Sequence, residues 1–242
     1  LFLLSLPVLH VMSQESASHC AASAGTISKV PLNKKGEIAV LEKIFWLGHS
    51  TVRIDTEPVI YIDPWKLKKP KRAGLVLVSH SHYDHLSPED VKKVAGPDTV
   101  ILAPEDCLGD LPTGARAIKP GDRVELPGIV VEALPSYNTN KTFHPRASGW
   151  VGFVITAEGR RIYYPGDTDV IPEMDTIRAD IVIIPVGGTY TMTAAEAADA
   201  VNRMKPVVAV PIHYGDIVGS LADAKKFKEY CKVHVEIKPV TD

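Results

Sequence analysis

The chain has 242 residues, 45% of them hydrophobic and 23% charged, with a formal net charge of −2. That length suits one large domain or two small ones. A near-neutral charge with no long basic run excludes a surface built chiefly for nucleic acid. The three cysteines, Cys20, Cys107 and Cys231, are too widely spaced for a disulfide framework or a paired-thiol metal motif.

Residues 1–36 are set apart as an N-terminal tail or a truncated signal segment. The apolar opening Leu1-Phe2-Leu3-Leu4 belongs to a stretch too short to span a bilayer as a helix. Ala22-Ser23-Ala24 has a signal-cleavage pattern, yet no basic start precedes it. No membrane span is expected, and the location is read as cytoplasmic, with export the alternative if the segment is a signal. No linker rich in Gly, Ser or Pro divides the remainder, so 37–242 reads as one domain.

From Lys43 the pattern predicts short strands at 44–47, 51–54 and 59–62, punctuated by Gly48-His49-Ser50 and Glu57-Pro58. The one basic patch, Lys66-Leu67-Lys68-Lys69-Pro70-Lys71-Arg72, reads as a solvated loop, with steering of anionic substrates the alternative. The apolar run Leu75-Val76-Leu77-Val78 predicts a buried strand. Ser87 as N-cap, Pro88 at the first helical position and Glu89-Asp90 behind it predict a helix to about Val94.

Between that strand and that helix lies His80-Ser81-His82-Tyr83-Asp84-His85, three imidazoles and one carboxylate within six residues of a chain with nine histidines. In an extended segment His80 and His82 face the same way, and a turn brings Asp84 and His85 round to meet them. Imidazole nitrogen with carboxylate oxygen is a ligand set suited to zinc and similar divalent ions.

Strands follow at 99–102, 124–126, 129–134, 151–155 and 161–164. Beyond them strands and helices alternate: a strand at 181–184, a helix to about Met204 opened by the capping box Thr193-Ala194-Ala195-Glu196, a strand at 207–210, a helix at 220–230 and a strand at 233–237. Such alternation points to a layered α/β domain with helices over packed sheets. His144, Asp167 and His213 sit in loops at strand ends, where side chains can converge on the cluster.

His80-Ser81-His82-Tyr83-Asp84-His85 resembles the H-x-H-x-D-H signature of the metallo-β-lactamase superfamily. A downstream histidine, then Gly166-Asp167-Thr168, then a strand-end histidine follow in that superfamily's order, over roughly residues 43–237. More loosely, Gly48-His49-Ser50-Thr51, Ile62-Asp63-Pro64 and Thr191-Met192 resemble the branch that includes phosphorylated-ascorbate lactonases.

The resemblance implies an αββα sandwich with a two-metal site at one edge. His80, His82 and His144 would hold one ion, Asp84, His85 and His213 the second, and Asp167 would bridge. Zinc is the first expectation, with manganese or iron as alternatives. The implied activity is hydrolysis of a small ester, lactone or phosphoester by a hydroxide formed on the metals, which can bring a bound water's pKa near neutrality. Asp84 would orient that hydroxide or carry its proton.

His49 and Asp63 are read as groups behind the ligands, and Tyr137, Asn138, Asn140, Lys141 and Thr189 as substrate contacts. A small molecule is the expected partner, with association of like chains left open. A phosphodiesterase or nuclease of the superfamily would need a basic groove that is not visible. Diiron oxidoreductases of this fold typically carry glutamate where His82 stands; a mononuclear iron dioxygenase keeping the same histidines is the redox alternative.

Overall fold

Short apolar runs separated by turn residues pair into two sheets in the computed structural model, which describes residues 39–241. The segment at 1–36, with Cys20, lies outside the described residues. In the first sheet β1 (Ile44–Gly48), β2 (Thr51–Ile54) and β3 (Ile60–Ile62) are antiparallel neighbours. It continues in parallel through β4 (Leu75–Leu77), β5 (Val100–Ala103) and β6 (Arg116–Ala117).

The second sheet begins with an antiparallel meander of β7 (Arg123–Leu126), β8 (Ile129–Pro135), β9 (Val151–Ala157) and β10 (Arg160–Tyr164). Parallel strands β11 (Ile181–Pro185), β12 (Val208–Ile212) and β13 (His234–Val235) complete it. Every residue of β11 and β12 is buried, as parallel strands covered on both faces require.

Helices form the outer layers, giving the expected αββα sandwich. Helix α1 (Pro88–Val94) packs Val91 and Val94 with Val76, Val78 and Ile101 of the first sheet. Helices α2 (Ala194–Met204) and α3 (Leu221–Tyr230) pack on each other and on β11 and β12. The caps are where the sequence places them. Ser87 accepts from the Asp90 backbone, and Thr193 with Glu196 closes the predicted capping box. Ser220 with Asp223 closes another, which starts α3.

The differences are local. The expected strand at 233–237 pairs only at His234–Val235, and β6 was not expected. Strand β12 runs two residues beyond its predicted end, so His213 leaves directly from the strand terminus. Cys107 and Cys231 are free thiols. Among the described residues no helix is long and apolar enough to cross a membrane.

One close approach positions the loop that carries Asp167. On β9, a Cβ built at Gly152 would lie 2.6 Å from the Pro165 carbonyl oxygen and 2.8 Å from its Cα. Pro165 leads into Gly166-Asp167, so the missing side chain sets how near that loop comes to the sheet. Gly152→Ala is expected to cost about 1–3 kcal/mol by overpacking. Urea unfolding measures this; an unchanged midpoint would show that the loop yields freely.

Candidate metal centre

The strand ends of the two sheets meet at one edge, and buried polar groups fill the seam. Strand β3 ends in Asp63, whose φ of 46° turns the chain back in the left-handed region that Asp tolerates better than most residues. Its fully buried carboxylate accepts from Ser79 N at 2.7 Å, Ser79 Oγ at 2.6 Å, Tyr164 Oη at 2.6 Å and His85 Nδ1 at 2.8 Å. Tyr164 belongs to the second sheet, so one carboxylate joins both sheets and fixes a histidine. With Nδ1 donating to Asp63, the His85 ring leaves Nε2 for the cluster.

The loop after β4 is pinned in the same way. His80 Nδ1 is 2.9 Å from Ser79 Oγ, and the His85 and Leu86 amides both donate to the His82 carbonyl, closing a tight turn. His144 is seated by Asn138, whose Oδ1 accepts from both its backbone N and its Nδ1 at 3.0 Å. His213 has φ of 60°, and its amide donates to the His49 carbonyl at 2.8 Å. His49 itself has φ of 46°, and its Nε2 donates to Asp84 Oδ2 at 2.9 Å. Such strained backbone at His49, Asp63 and His213 persists only where surrounding contacts hold it.

Three overlapping sets of donor atoms result, those within each set lying within 4.8 Å of one another: His80, His82 and His144; His49, Asp84, His85 and His213; and His80, His85 and Asp167. Asp167 lies between the first two. Its Oδ1 is 3.3 Å from His85 Nε2, and its Oδ2 is 3.0 Å from His213 Nε2 and 3.6 Å from His144 Nε2. All seven sequence-predicted ligands are therefore brought together, with His49 beside them and Asp63 behind.

A divalent cation fits this donor set. His144 Nε2 is buried without a hydrogen-bond partner. His213 Nε2, though close to Asp167, and Asp167 Oδ1, though close to His85, make no hydrogen bond either, whereas buried polar atoms are nearly always satisfied. Burial drives His80 well below the usual imidazole range, lowers His82 and His49, and takes His144 to about 4. Neutral imidazole is the form that ligates. His85 is pushed the other way: burial would lower it too, but the Asp167 and Asp63 carboxylates outweigh that and hold it well above the usual range. Burial alone would raise the Asp167 carboxyl, but the facing charges of His213 and His85 outweigh it and hold the group well below the carboxylate range. At Asp84 burial also pushes up, and the His49 hydrogen bond with the His85 charge overrides it.

The five residues expected to contact substrate do not line the cavity over the cluster. The Tyr137 hydroxyl donates to Glu173 at 3.0 Å, Asn138 stands behind His144, and Lys141 is paired with Asp169. Asn140 and Thr189 are exposed. Tyr83, Phe143, Tyr190 and Ile217 line it, with His82, Asp84, His144 and Asp167. Tyr83 and Phe143 adjoin predicted ligands in sequence, which was the available signal; Tyr190 and Ile217 gave none.

Residues 43–213 match the model of a family described as the β-lactamase superfamily domain. A metal-dependent hydrolase of Thermoplasma acidophilum is 32% identical over 202 residues, covering 77% of this chain and 89% of that relative. A solved structure provisionally designated a metal-dependent hydrolase, from Parabacteroides distasonis, is 31% identical with a TM-score of 0.72, covering 82% of this chain and 93% of its own. Igni18, a metallo hydrolase of Ignicoccus hospitalis, shares the fold at 24% identity and a TM-score of 0.67, covering 82% and 95%.

Asp63→Asn tests the orienting carboxylate. Loss of its charge is expected to weaken zinc binding about 10–100-fold, the usual effect of removing a partner behind a metal ligand. It should also destabilise the fold by about 1–3 kcal/mol, through mismatched buried donors. Zinc affinity within twofold of wild type, measured by competition with a chromophoric chelator, would remove Asp63 from this role.

Proposed function

The chain belongs to the metallo-β-lactamase superfamily and is a metal-dependent hydrolase; from that premise we propose a two-metal enzyme acting on a small ester, lactone or phosphoester. His80, His82 and His144 would hold one divalent ion, and Asp84, His85 and His213 the other, with Asp167 shared. Zinc is proposed first and manganese second. The observation that carries the reading is the convergence of two donor sets on one buried carboxylate, Asp167. A shared carboxylate offsets the repulsion between two nearby cations, which a purely structural one-ion site does not need.

Ions held there supply an acidified water and polarise the oxygen under attack. The chain's own residues do the rest. Asp84 is only partly exposed, lines the cavity and is held by His49 at one oxygen. A carboxylate kept ionised in that position accepts a proton from the attacking water and returns it to the leaving oxygen. Asp63 and Asn138 hold the His85 and His144 rings in one orientation. The Trp150 indole packs against both the His80 and the His82 ring, with centroids 5.0 Å from His80 and 4.9 Å from His82.

Asp84→Asn keeps the side-chain volume and one ligand oxygen but cannot accept a proton at neutral pH. It is expected to lower kcat by about two orders of magnitude, within the range for general acid–base groups. Ion content must be measured on the same sample. A variant with unchanged ion content and near-normal kcat would remove Asp84 from proton transfer.

A further inference from the structure

The cavity over the cluster has a volume of about 230 Å³. Its outer wall is aromatic and aliphatic: Tyr83 is 69% exposed and Phe143 46% exposed at its mouth, with Tyr190 and Ile217 beside them. Phe143 and Tyr190 meet edge to face, their centroids 4.7 Å apart at 89°. An edge-to-face pair of this kind leaves a ring face free for a third flat group. Tyr83 is braced edge-on by Trp65 at 6.2 Å. Large apolar side chains left exposed together around a catalytic cluster mark a binding surface.

The charges around this wall are equally informative. Neither Lys nor Arg lines the cavity, and its carboxylates are those of Asp84 and Asp167. Three cations on neighbouring loops are engaged by acids. Lys141 pairs with Asp169, Arg146 with Glu173 at 2.9 Å, and Lys66 with Asp216 at 3.2 Å while also lying over the Trp65 ring. A phosphate or carboxylate carried by the substrate away from its reacting bond would lie against aromatic faces, with no Lys or Arg of the lining to pair with it. A charge set against apolar ring faces without a partner is disfavoured.

We infer that the substrate is uncharged and carries a flat apolar group, seated against Phe143 and Tyr190, next to the ester or lactone bond that is cleaved. This rests on the hydrolase reading above, and it sets aside the phosphorylated lactones that the branch resemblance suggested. Hydrolysis of such an ester breaks the acyl carbon–oxygen bond, places the water oxygen on the acyl carbon and returns a proton to the leaving alcohol. The apolar wall holds the alcohol or acyl substituent, so it governs selectivity rather than bond cleavage.

The test compares three esters of similar intrinsic reactivity on the zinc-loaded chain: benzyl acetate, ethyl acetate and 4-carboxybenzyl acetate. Benzyl acetate is expected to exceed the other two by about tenfold in kcat/KM, the scale of one good aromatic contact or one unpaired charge in an apolar site. Phe143→Ala and Tyr190→Ala are each expected to reduce the benzyl-over-ethyl ratio to about twofold. Separately, benzyl alcohol binding to the metal-free chain is followed by saturation-transfer NMR and should weaken in Phe143→Ala. Hydrolysis of none of the esters, with benzyl alcohol bound and weakened by Phe143→Ala, would sink the hydrolase reading and keep the apolar site. A preference for 4-carboxybenzyl acetate, or benzyl alcohol binding unaltered by Phe143→Ala, would overturn the inference.

Discussion

The buried carboxylate of Asp63 is the constraint on which the rest of the structure depends. An anion with no solvent access is costly unless every lone pair is used. Here the partners come from three directions: the backbone and hydroxyl of Ser79, the Tyr164 hydroxyl from the opposite sheet, and His85 from the ligand loop. Satisfying the charge therefore aligns the two sheets at this edge and turns one imidazole. Fold and site share a single electrostatic requirement.

Asp167 imposes the complementary condition. Its carboxylate faces three imidazoles, and one of its oxygens has no hydrogen-bond donor. The close contact of Gly152 with Pro165 fixes the loop that delivers it, and the left-handed turns at His49 and His213 present the facing rings. These are local sacrifices of backbone comfort and hydrogen bonding, concentrated where positive charge would relieve them. The surrounding sheets, fully apolar in β11 and β12, hold that arrangement rigid.

The grouping of the inner-site side chains was legible because the spacing that brings them together is local. Spacing within His80-Ser81-His82-Tyr83-Asp84-His85 sets which side chains share a face, and Ser87 and Thr193 announce their helices through hydrogen bonds to residues three along. The strand ends bearing Asp167 and His213 were readable as apolar runs halted by turn residues. Two-residue β6 was not, since so short a segment has no period and exists only because β5 lies alongside. The lining of the outer wall was not legible, for a different reason. Asn138 and Lys141 have the residue types of substrate contacts, yet Asn138 orients His144 and Lys141 neutralises Asp169. Polar type alone does not distinguish a group facing substrate from one facing its neighbours. The aromatic wall is assembled from separate loops, which no sequence window spans.

The central claim is that Asp167 unites two imidazole clusters into one two-ion centre. Its most direct measurement is calorimetric titration of the metal-free chain with zinc, with elemental analysis of the dialysed product, repeated on Asp167→Asn. The account predicts two tightly held ions per wild-type chain and the loss of at least one in the variant. One ion per wild-type chain, or two ions retained with unaltered affinity by Asp167→Asn, would contradict it.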